Sequence, residues 1–240
     1  MHDKFREECG VFGIAGHPEA ANMAYLGLYA LQHRGQESAG IASWDGVTVH
    51  HSKAMGYVNE AFDSVSLSKL PGAMAVGHVR YSTAGESRLA NAQPIVVDST
   101  HGPLAICHNG NLVNAGDVRD ALVRDGAIFQ TSSDTEVVVH LFARSKASGV
   151  EAAIVDALQQ VRGAFSFVMM TNDRVIGVRD PHGFRPLVLG RLGEAWVICS
   201  ETCALDLIGA SYVRDVEPGE MVVLSAAGLK SSRPFGEAPI

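Results

Sequence analysis

The chain has few cysteines, no excess of positive charge and no long apolar run, and each shortage excludes a class of protein. Its 240 residues include only 4 cysteines, too scattered for the disulfide framework that small secreted domains need. A formal net charge of −7 excludes the basic surface that binds nucleic acid or anionic membranes. No apolar run approaches the ~18 residues of a membrane span, and residues 1–8 lack the apolar core of a signal peptide. We therefore expect a cytoplasmic protein with no nucleic-acid or membrane partner.

The hydrophobic pattern predicts an α+β fold. Hydrophobic residues make up 47% of the chain and charged residues 19%, which is ordinary for a globular protein. Strand-like segments come in clusters, at 9–14, 41–44, 47–50, 73–79, 104–107, 165–170, 175–178, 187–189, 195–199 and 221–224. Helical spacing is found at 19–32, 115–124, 134–146 and 150–161. Because the strands do not alternate one-for-one with helices, we expect antiparallel or mixed sheets flanked by helices.

Two local signals sharpen these boundaries. Asp45-Gly46 is a strong two-residue turn signal, so the strands on either side of it should form a hairpin. Residues 133–136 have the pattern of a capping box, which should fix the start of the helix at 134.

Cys9 is the most informative residue, because it lies between a polar leader and an apolar strand-like run. Cutting the Glu8–Cys9 bond would place a thiol and a free α-amino group on one residue. The pKa of such an amine is about 8, so a useful fraction is unprotonated at neutral pH and can act as a base. Activation of a nucleophile by an N-terminal amine is an established device. The alternative is that Cys9 is a small buried hydrophobic residue in a strand.

Two polar clusters each allow a functional and a structural interpretation. Residues 32–37 include Arg34 and follow a helix that Gly35 could end with a left-handed turn. Residues 78–85 follow a strand and include Arg80, whose guanidinium could bind a carboxylate or form only a surface ion pair.

A third cluster, residues 108–111, and a helix start carry the remaining candidates. Asn109-Gly110 could be a hairpin turn, or its amide and backbone N–H could stabilise a developing oxyanion. Asp134 could bind a cation, or it could simply complement the dipole of the helix that it opens.

Taken together, the clusters resemble the class II glutamine amidotransferases, the glutaminase domains of the N-terminal-nucleophile hydrolase superfamily. The matching blocks are CGVFGI from Cys9, QHRGQE from Gln32, GHVRYSTAG from Gly77, HNGNL from His108 and SSDTE from Ser132. Later blocks are similar to members that deliver ammonia to phosphoribosyl pyrophosphate in the first committed step of purine synthesis. These blocks are RDPHGFRPL from Arg179, SETCALD from Ser200 and VEPGE from Val216. The resemblance covers residues 9 to about 230.

The resemblance implies a fold and a set of catalytic residues. The fold is a four-layer αββα sandwich, with two mostly antiparallel sheets between helical layers. Cys9 would be the nucleophile and its own α-amine the base, while Asn109 and Gly110 would form the oxyanion hole. The products would be glutamate and ammonia, formed through a γ-glutamyl thioester.

The resemblance also implies residues that bind glutamine. Arg80 would bind the α-carboxylate of the substrate with help from Thr83, and Asp134 would pair with its ammonium group. Arg34 would support the terminus of Cys9.

The domain and cofactor expectations follow from the same resemblance. Residues 1–8 would be a propeptide that is removed, 9–230 the glutaminase domain, and 231–240 a linker toward a C-terminal phosphoribosyltransferase domain. We expect no cofactor or metal in this chain, and a homo-oligomer at full length. The full-length enzyme would use Mg²⁺, and members with a propeptide often carry a [4Fe–4S] cluster. Cys107, Cys199 and Cys203 do not match the cluster ligands and are interpreted as structural.

Three alternatives remain open. One is another class II amidotransferase, such as glucosamine-6-phosphate synthase, although that family typically has Cys directly after Met1. A second is a papain-like hydrolase or metal-binding module that uses Cys9, His33, His78 or His108, although no pair of histidines has metal-ligand spacing with another Cys or a carboxylate. The third is a non-catalytic relic of a glutaminase domain.

Overall fold

Strands and helices of the computed structural model are described for residues 9–81 and 88–236. In chain order the strands are β1 (Gly10–Ala15), β2 (Ser38–Trp44), β3 (Val49–Met55), β4 (Met74–Arg80), β5 (Ile95–Ser99), β6 (Gly102–Leu112), β7 (Gly163–Met170), β8 (Arg174–Arg179), β9 (Val188–Leu192), β10 (Ala195–Cys199), β11 (Ser211–Asp215), β12 (Met221–Ser225) and β13 (Gly228–Ser232). The helices are α1 (Ala20–Ala30), α2 (Val58–Ala61), α3 (Ser64–Ser68), α4 (Ala115–Arg124), α5 (Thr135–Arg144), α6 (Val150–Leu158) and α7 (Thr202–Ile208). None of these helices is long and apolar enough to cross a membrane.

The strands form two antiparallel sheets. The first has seven strands in the order β11-β9-β10-β1-β4-β2-β3, and the second has six in the order β13-β12-β8-β7-β6-β5. Every pairing in both sheets is antiparallel, as the clustering of the strand-like segments predicts.

Burial on both faces of the strands builds a four-layer sandwich. Along β1, Val11 and Ala15 point into an apolar layer shared with side chains of β6, β7, β8 and β12. Phe12 and Ile14 point the other way and pack with α1 and α7. Helices α4, α5 and α6 cover the outer face of the second sheet. The layers are therefore helix, sheet, sheet and helix, which confirms the predicted αββα architecture.

Several local predictions differ from the structure. The Asp45-Gly46 hairpin forms, with β2 and β3 on either side of it, but Asn109-Gly110 is not a turn, because β6 continues through both residues. The capping box does not close: the Glu136 carboxylate accepts from the backbone N–H groups of Gln130 and Thr131 instead.

The sequence pattern does not predict β5, β11, β13, α2, α3 and α7, all seven residues or shorter. Their short apolar patterns carry little periodic signal, and the strands depend on pairing with distant partners. Strand β13 pairs Ser231 and Ser232 with β12, and Phe235 packs against the core of the second sheet. The first residues of the predicted linker therefore belong to the folded domain.

Candidate active site

Cys9 is held at the start of β1 by hydrogen bonds from both of its backbone groups to one residue. Its N–H donates to the Arg34 carbonyl at 3.0 Å, and its carbonyl accepts from Arg34 Nε at 2.7 Å. The Sγ thiol donates to the Tyr81 carbonyl at 3.5 Å. Cys9 is also the one non-glycine residue in the described part of the chain with positive φ, at +66°. The half-buried thiol is thus presented in a backbone conformation that costs on the order of 1–3 kcal/mol, which is typical of functional sites.

The turn after α1 brings Arg34 to Cys9. A single 3₁₀ turn, Gln32–Arg34, follows the helix and ends at Gly35, whose φ of −159° is extended. The alternative of a left-handed turn at Gly35 is therefore excluded. Glycine is needed there because a Cβ would lie 2.7 Å from the backbone carbonyl carbons of Val79 and Arg80. This close approach to β4 fixes Arg34 beside the start of β1.

Glu201, which the sequence analysis did not identify, completes this arrangement. Its Oε1 accepts from Nη1 of Arg34, a side chain that is only 1% exposed. Its Oε2 lies 3.1 Å from Nε2 of His33. Burial pushes the pKa of Glu201 upward, but the Arg34 hydrogen bond and charge hold it below its ordinary value. Glu201 lies 167 residues from Arg34 in the sequence, and no spacing rule could have paired them.

Register places Cys9 beside Arg80 between the two sheets. Gly10 pairs with Val79 and Val11 with His78 in the antiparallel β1–β4 ladder, so Cys9 lies opposite Arg80. Arg80 is only 5% exposed and forms an ion pair with Glu37, so the alternative of a surface ion pair does not apply.

Asn109 projects into the same layer from the second sheet. In β6, Ala105 and Cys107 point into the layer between the sheets, and Asn109 has the same parity. It is fully buried, yet neither its amide nitrogen nor its amide oxygen has a hydrogen-bond partner among the described residues. The neighbouring His108 carbonyl accepts from His78 Nε2 at 2.9 Å, which ties β6 to β4 at this point. An unpaired buried amide is costly, so its retention points to a ligand.

Gly110 directs its backbone N–H to the side of β6 that faces away from β7. The N–H groups of His108 and Leu112 point away from β7, toward Gln93 Oε1 and Asp134 Oδ2. Gly110 lies midway between them in the strand, so its N–H points to that side as well. A side chain is excluded there, because φ is +145° and a Cβ would lie 2.0 Å from the Ala164 carbonyl oxygen.

Asp134 stands at the start of α5, next to this side of β6. Its Oδ2 accepts from the Leu112 N–H at 2.9 Å, and its Oδ1 lies 3.6 Å from His108 Nδ1. Burial raises the pKa of Asp134, but the His108 ring and the hydrogen bonds outweigh it and leave the pKa below its ordinary value. The carboxylate is therefore charged at neutral pH and suited to a cationic group.

The structure thus places six of the predicted residues toward one end of the sandwich. Cys9, Arg34 and Arg80 lie where β1 begins and β4 ends. Asn109 and Gly110 follow the His78–His108 contact in β6, and Asp134 lies at the adjoining helix start. Thr83 lies outside the described residues. Cys107 and Cys199 are buried, and burial raises the pKa of both thiols, which agrees with a structural role.

Comparison with protein families and known proteins gives a consistent picture. Residues 78–207 match the glutamine amidotransferase domain family. The chain is 50% identical over 228 residues to amidophosphoribosyltransferase of Bacillus subtilis, covering 95% of this chain and 48% of that protein. It is 53% identical over 236 residues to the chloroplastic amidophosphoribosyltransferase 1 of Arabidopsis thaliana, covering 95% of this chain and 41% of that protein. The chain spans about half the length of the curated relatives it matches.

Solved structures agree. The B. subtilis glutamine phosphoribosylpyrophosphate amidotransferase, complexed with ADP and GMP, superposes with a TM-score of 0.89 at 48% identity, over 94% of this chain and 49% of that one. A protein from Silicibacter pomeroyi described as a glutamine aminotransferase class-II domain protein gives a TM-score of 0.58 at 13% identity, over 96% of this chain and all of that one, and supports the fold alone.

Proposed function

Because the chain belongs to the glutamine amidotransferase domain family, in the form that amidophosphoribosyltransferases carry, we propose that it hydrolyses glutamine to glutamate and ammonia with Cys9 as nucleophile. The observation that carries this proposal is the fully buried amide of Asn109, which has no hydrogen-bond partner within residues 9–81 and 88–236, beside the N–H of Gly110. Two such donors suit the oxyanion of a tetrahedral intermediate.

The first half of the reaction forms a thioester. Sγ of Cys9 attacks the side-chain carboxamide carbon of glutamine while the α-amine of Cys9 takes the thiol proton. The oxyanion accepts hydrogen bonds from Asn109 Nδ2 and the Gly110 N–H. Collapse of the intermediate breaks the C–N bond, and the α-ammonium group protonates the departing ammonia.

In the second half, water attacks the γ-glutamyl thioester with the amine again acting as base. The C–S bond breaks, glutamate leaves and the thiol is restored. The same oxyanion donors serve both steps, so their loss should slow each of them.

Charge complementarity supports glutamine as the substrate. An amino acid carries a carboxylate and an ammonium group, and the site offers a buried guanidinium at Arg80 and a charged carboxylate at Asp134. Charge-assisted hydrogen bonds of this kind contribute about 1.5–3 kcal/mol each. Thr83 remains a predicted helper of Arg80.

Removal of residues 1–8 is required by this chemistry. An amide nitrogen has no basic lone pair, whereas a free α-amine has a pKa of about 7.7–8.0. Arg34 already accepts a hydrogen bond from the Cys9 nitrogen through its carbonyl and binds the Cys9 carbonyl through Nε, so it would hold the new terminus in place.

In the whole protein, we propose that the ammonia passes to a phosphoribosyltransferase domain after residue 240 and converts phosphoribosyl pyrophosphate to phosphoribosylamine. The names of the relatives support this acceptor over glucosamine-6-phosphate synthase. Mg²⁺, a [4Fe–4S] cluster, homo-oligomerisation and a cytoplasmic location belong to the same proposal for the full-length enzyme.

The test is glutamate release by the chain after exposure of Cys9 as the first residue. We expect turnover of glutamine that is abolished in Cys9→Ala, and a γ-glutamyl adduct on Cys9 when the reaction is quenched in acid. Glutamate release by Cys9→Ala at the wild-type rate would refute the proposal.

A further inference from the structure

Three side chains with metal-binding atoms meet on the far side of Arg34 from Cys9. His33 Nε2, a carboxylate oxygen of Glu201 and Cys203 Sγ all lie within 4.8 Å of one another. Nε2 is 3.1 Å from Glu201 Oε2, and Sγ is 3.7 Å from the same oxygen. None of these three atoms takes part in the glutamine chemistry described above.

The orientation of the His33 ring makes this contact unusual. Its Nδ1 lies 3.1 Å from the Ala30 carbonyl oxygen, which can only accept, so Nδ1 carries the hydrogen. In the neutral ring, Nε2 then directs a lone pair at Glu201 Oε2, and two acceptors face each other at 3.1 Å. Such a contact is favourable only with a cation between the atoms or a proton on Nε2. Metal-binding histidines almost always donate their other N–H to a carbonyl or carboxylate in this way.

The distances also fit a tetrahedral zinc site. Zinc bonds of about 2.0 Å to nitrogen and oxygen and 2.3 Å to sulfur give edges of about 3.3 Å between N and O and about 3.5 Å between S and O. The two contacts observed are 3.1 and 3.7 Å. Small side-chain adjustments would bring all three atoms onto one ion, with water as the fourth ligand.

We propose that His33, Glu201 and Cys203 form a binding site for one thiophilic divalent cation of the Zn²⁺ class. Nε2, Oε2 and the Cys203 thiolate are its ligands, and the thiol proton is released to solvent when the ion binds. No short-range spacing of ligands in the sequence predicts this site. Here the ligands come from the turn after α1 and from the start of α7.

A cation at this site would act on Cys9 through two contacts. Glu201 uses Oε1 for Arg34 and Oε2 for the proposed ion, so both compete for one negative charge. A divalent charge beside Glu201 would weaken its attraction for Arg34, which holds both backbone groups of Cys9. The bound ion should therefore lower glutamine turnover. This consequence rests on the proposed glutaminase function, whereas the binding itself does not.

Binding is tested with Co²⁺ and Zn²⁺ on the chain carrying Cys9→Ala, which removes the competing thiol of the active site. We expect one Co²⁺ per chain, with the near-ultraviolet charge-transfer band of a cobalt–thiolate bond, and displacement of that band by one equivalent of Zn²⁺. Adding Cys203→Ser should abolish the band, and adding His33→Gln should weaken binding at least tenfold. His182→Gln, which removes an exposed histidine elsewhere, should change neither.

Circular dichroism and thermal unfolding of each variant confirm that it is folded. Absence of the band from the Cys9→Ala chain would overturn the proposal and leave a protonated His33–Glu201 ion pair as the explanation. Retention of the band after Cys203→Ser would overturn it as well.

The effect on Cys9 is tested on the mature chain. Zn²⁺ at the concentration that fills the site should reduce glutamate release several-fold, and Cys203→Ser should remove most of that reduction. Equal inhibition of both chains would place the inhibitory zinc on Cys9 itself and would overturn the proposed effect of the ion on Cys9. The Co²⁺ titration of the Cys9→Ala chain would still test whether the site binds a metal ion.

Discussion

Replacing Asn109 by leucine should make the protein more stable and much less active. Its amide is fully buried and unpaired among the described residues, which costs about 1–3 kcal/mol. Leucine has a similar shape and no polar atoms, so the free energy of unfolding should rise by up to that amount. For a domain of this size, 1 kcal/mol corresponds to about 2–4 °C in Tm, so 1–3 kcal/mol corresponds to a rise of roughly 2–12 °C. The loss of an oxyanion donor should lower kcat for glutamine by about 10²–10³-fold.

Asn91→Leu is the matched control. Asn91 is equally buried, at 2% exposure, but its Nδ2 donates to Ser132 Oγ at 2.9 Å and its Oδ1 accepts from the Ser132 N–H at 3.0 Å. Leucine removes both hydrogen bonds, so Tm should fall while kcat changes little.

The assay combines differential scanning calorimetry with glutamate release on the same preparations. The reasoning predicts opposite signs for the two Tm shifts and a large kcat loss only for Asn109→Leu. A lower Tm for Asn109→Leu, with kcat within about threefold of the wild type, would show that the amide is structural and refute the assignment.

Three further predictions concern stability. The pKa of buried His78 is lowered from 6.5 to about 3, chiefly by burial, so below pH 6.5 only the unfolded chain takes up this proton. The free energy of unfolding should therefore fall by about 2 kcal/mol between pH 6.5 and about pH 4.5, with a slope that approaches 1.36 kcal/mol per pH unit below pH 6.5. Urea titrations should find a smaller fall in His78→Gln. Gly110→Ala should not yield folded protein, because its Cβ would lie 2.0 Å from a backbone oxygen. Gly116→Ala is the control, because a Cβ there has no atom within 4 Å, and its Tm should stay within a few degrees of the wild type. Equal yields and equal Tm for the two variants would contradict this prediction. Glu201→Gln should lower the free energy of unfolding by about 1–3 kcal/mol, since the buried Arg34 guanidinium loses the charge of its half-buried partner. Unchanged urea unfolding would count against that pair.

The sequence predicts well the long elements that pack against other layers of the sandwich, and it predicts the short elements poorly. Strand β1 and helix α1 carry unbroken apolar patterns, because each is packed against other layers of the sandwich. Strand β11 is mostly exposed and exists because it pairs with β9, which no local pattern encodes. The alternative of a turn at Asn109-Gly110 is excluded for the same reason: pairing with β7 overrides a strong local turn signal.

The candidate site likewise contains residues that the sequence can identify and contacts that only the fold reveals. Cys9, Arg80 and Asp134 could be identified because each stands at the end or start of a recognisable element within a block that resembles a known family. Their partners could not, because contacts such as Arg34–Glu201 and Arg80–Glu37 are made by the fold across long sequence separations. The isolation of the Asn109 amide is likewise visible only in three dimensions.

The most direct test of the central claim is glutamate release measured on samples whose intact mass is known. Chains that begin at Cys9 should turn over glutamine, and chains that retain residues 1–8 should not, although both carry the same thiol. Full turnover by a sample whose mass shows that residues 1–8 are still attached would contradict the role of the Cys9 α-amine as the catalytic base.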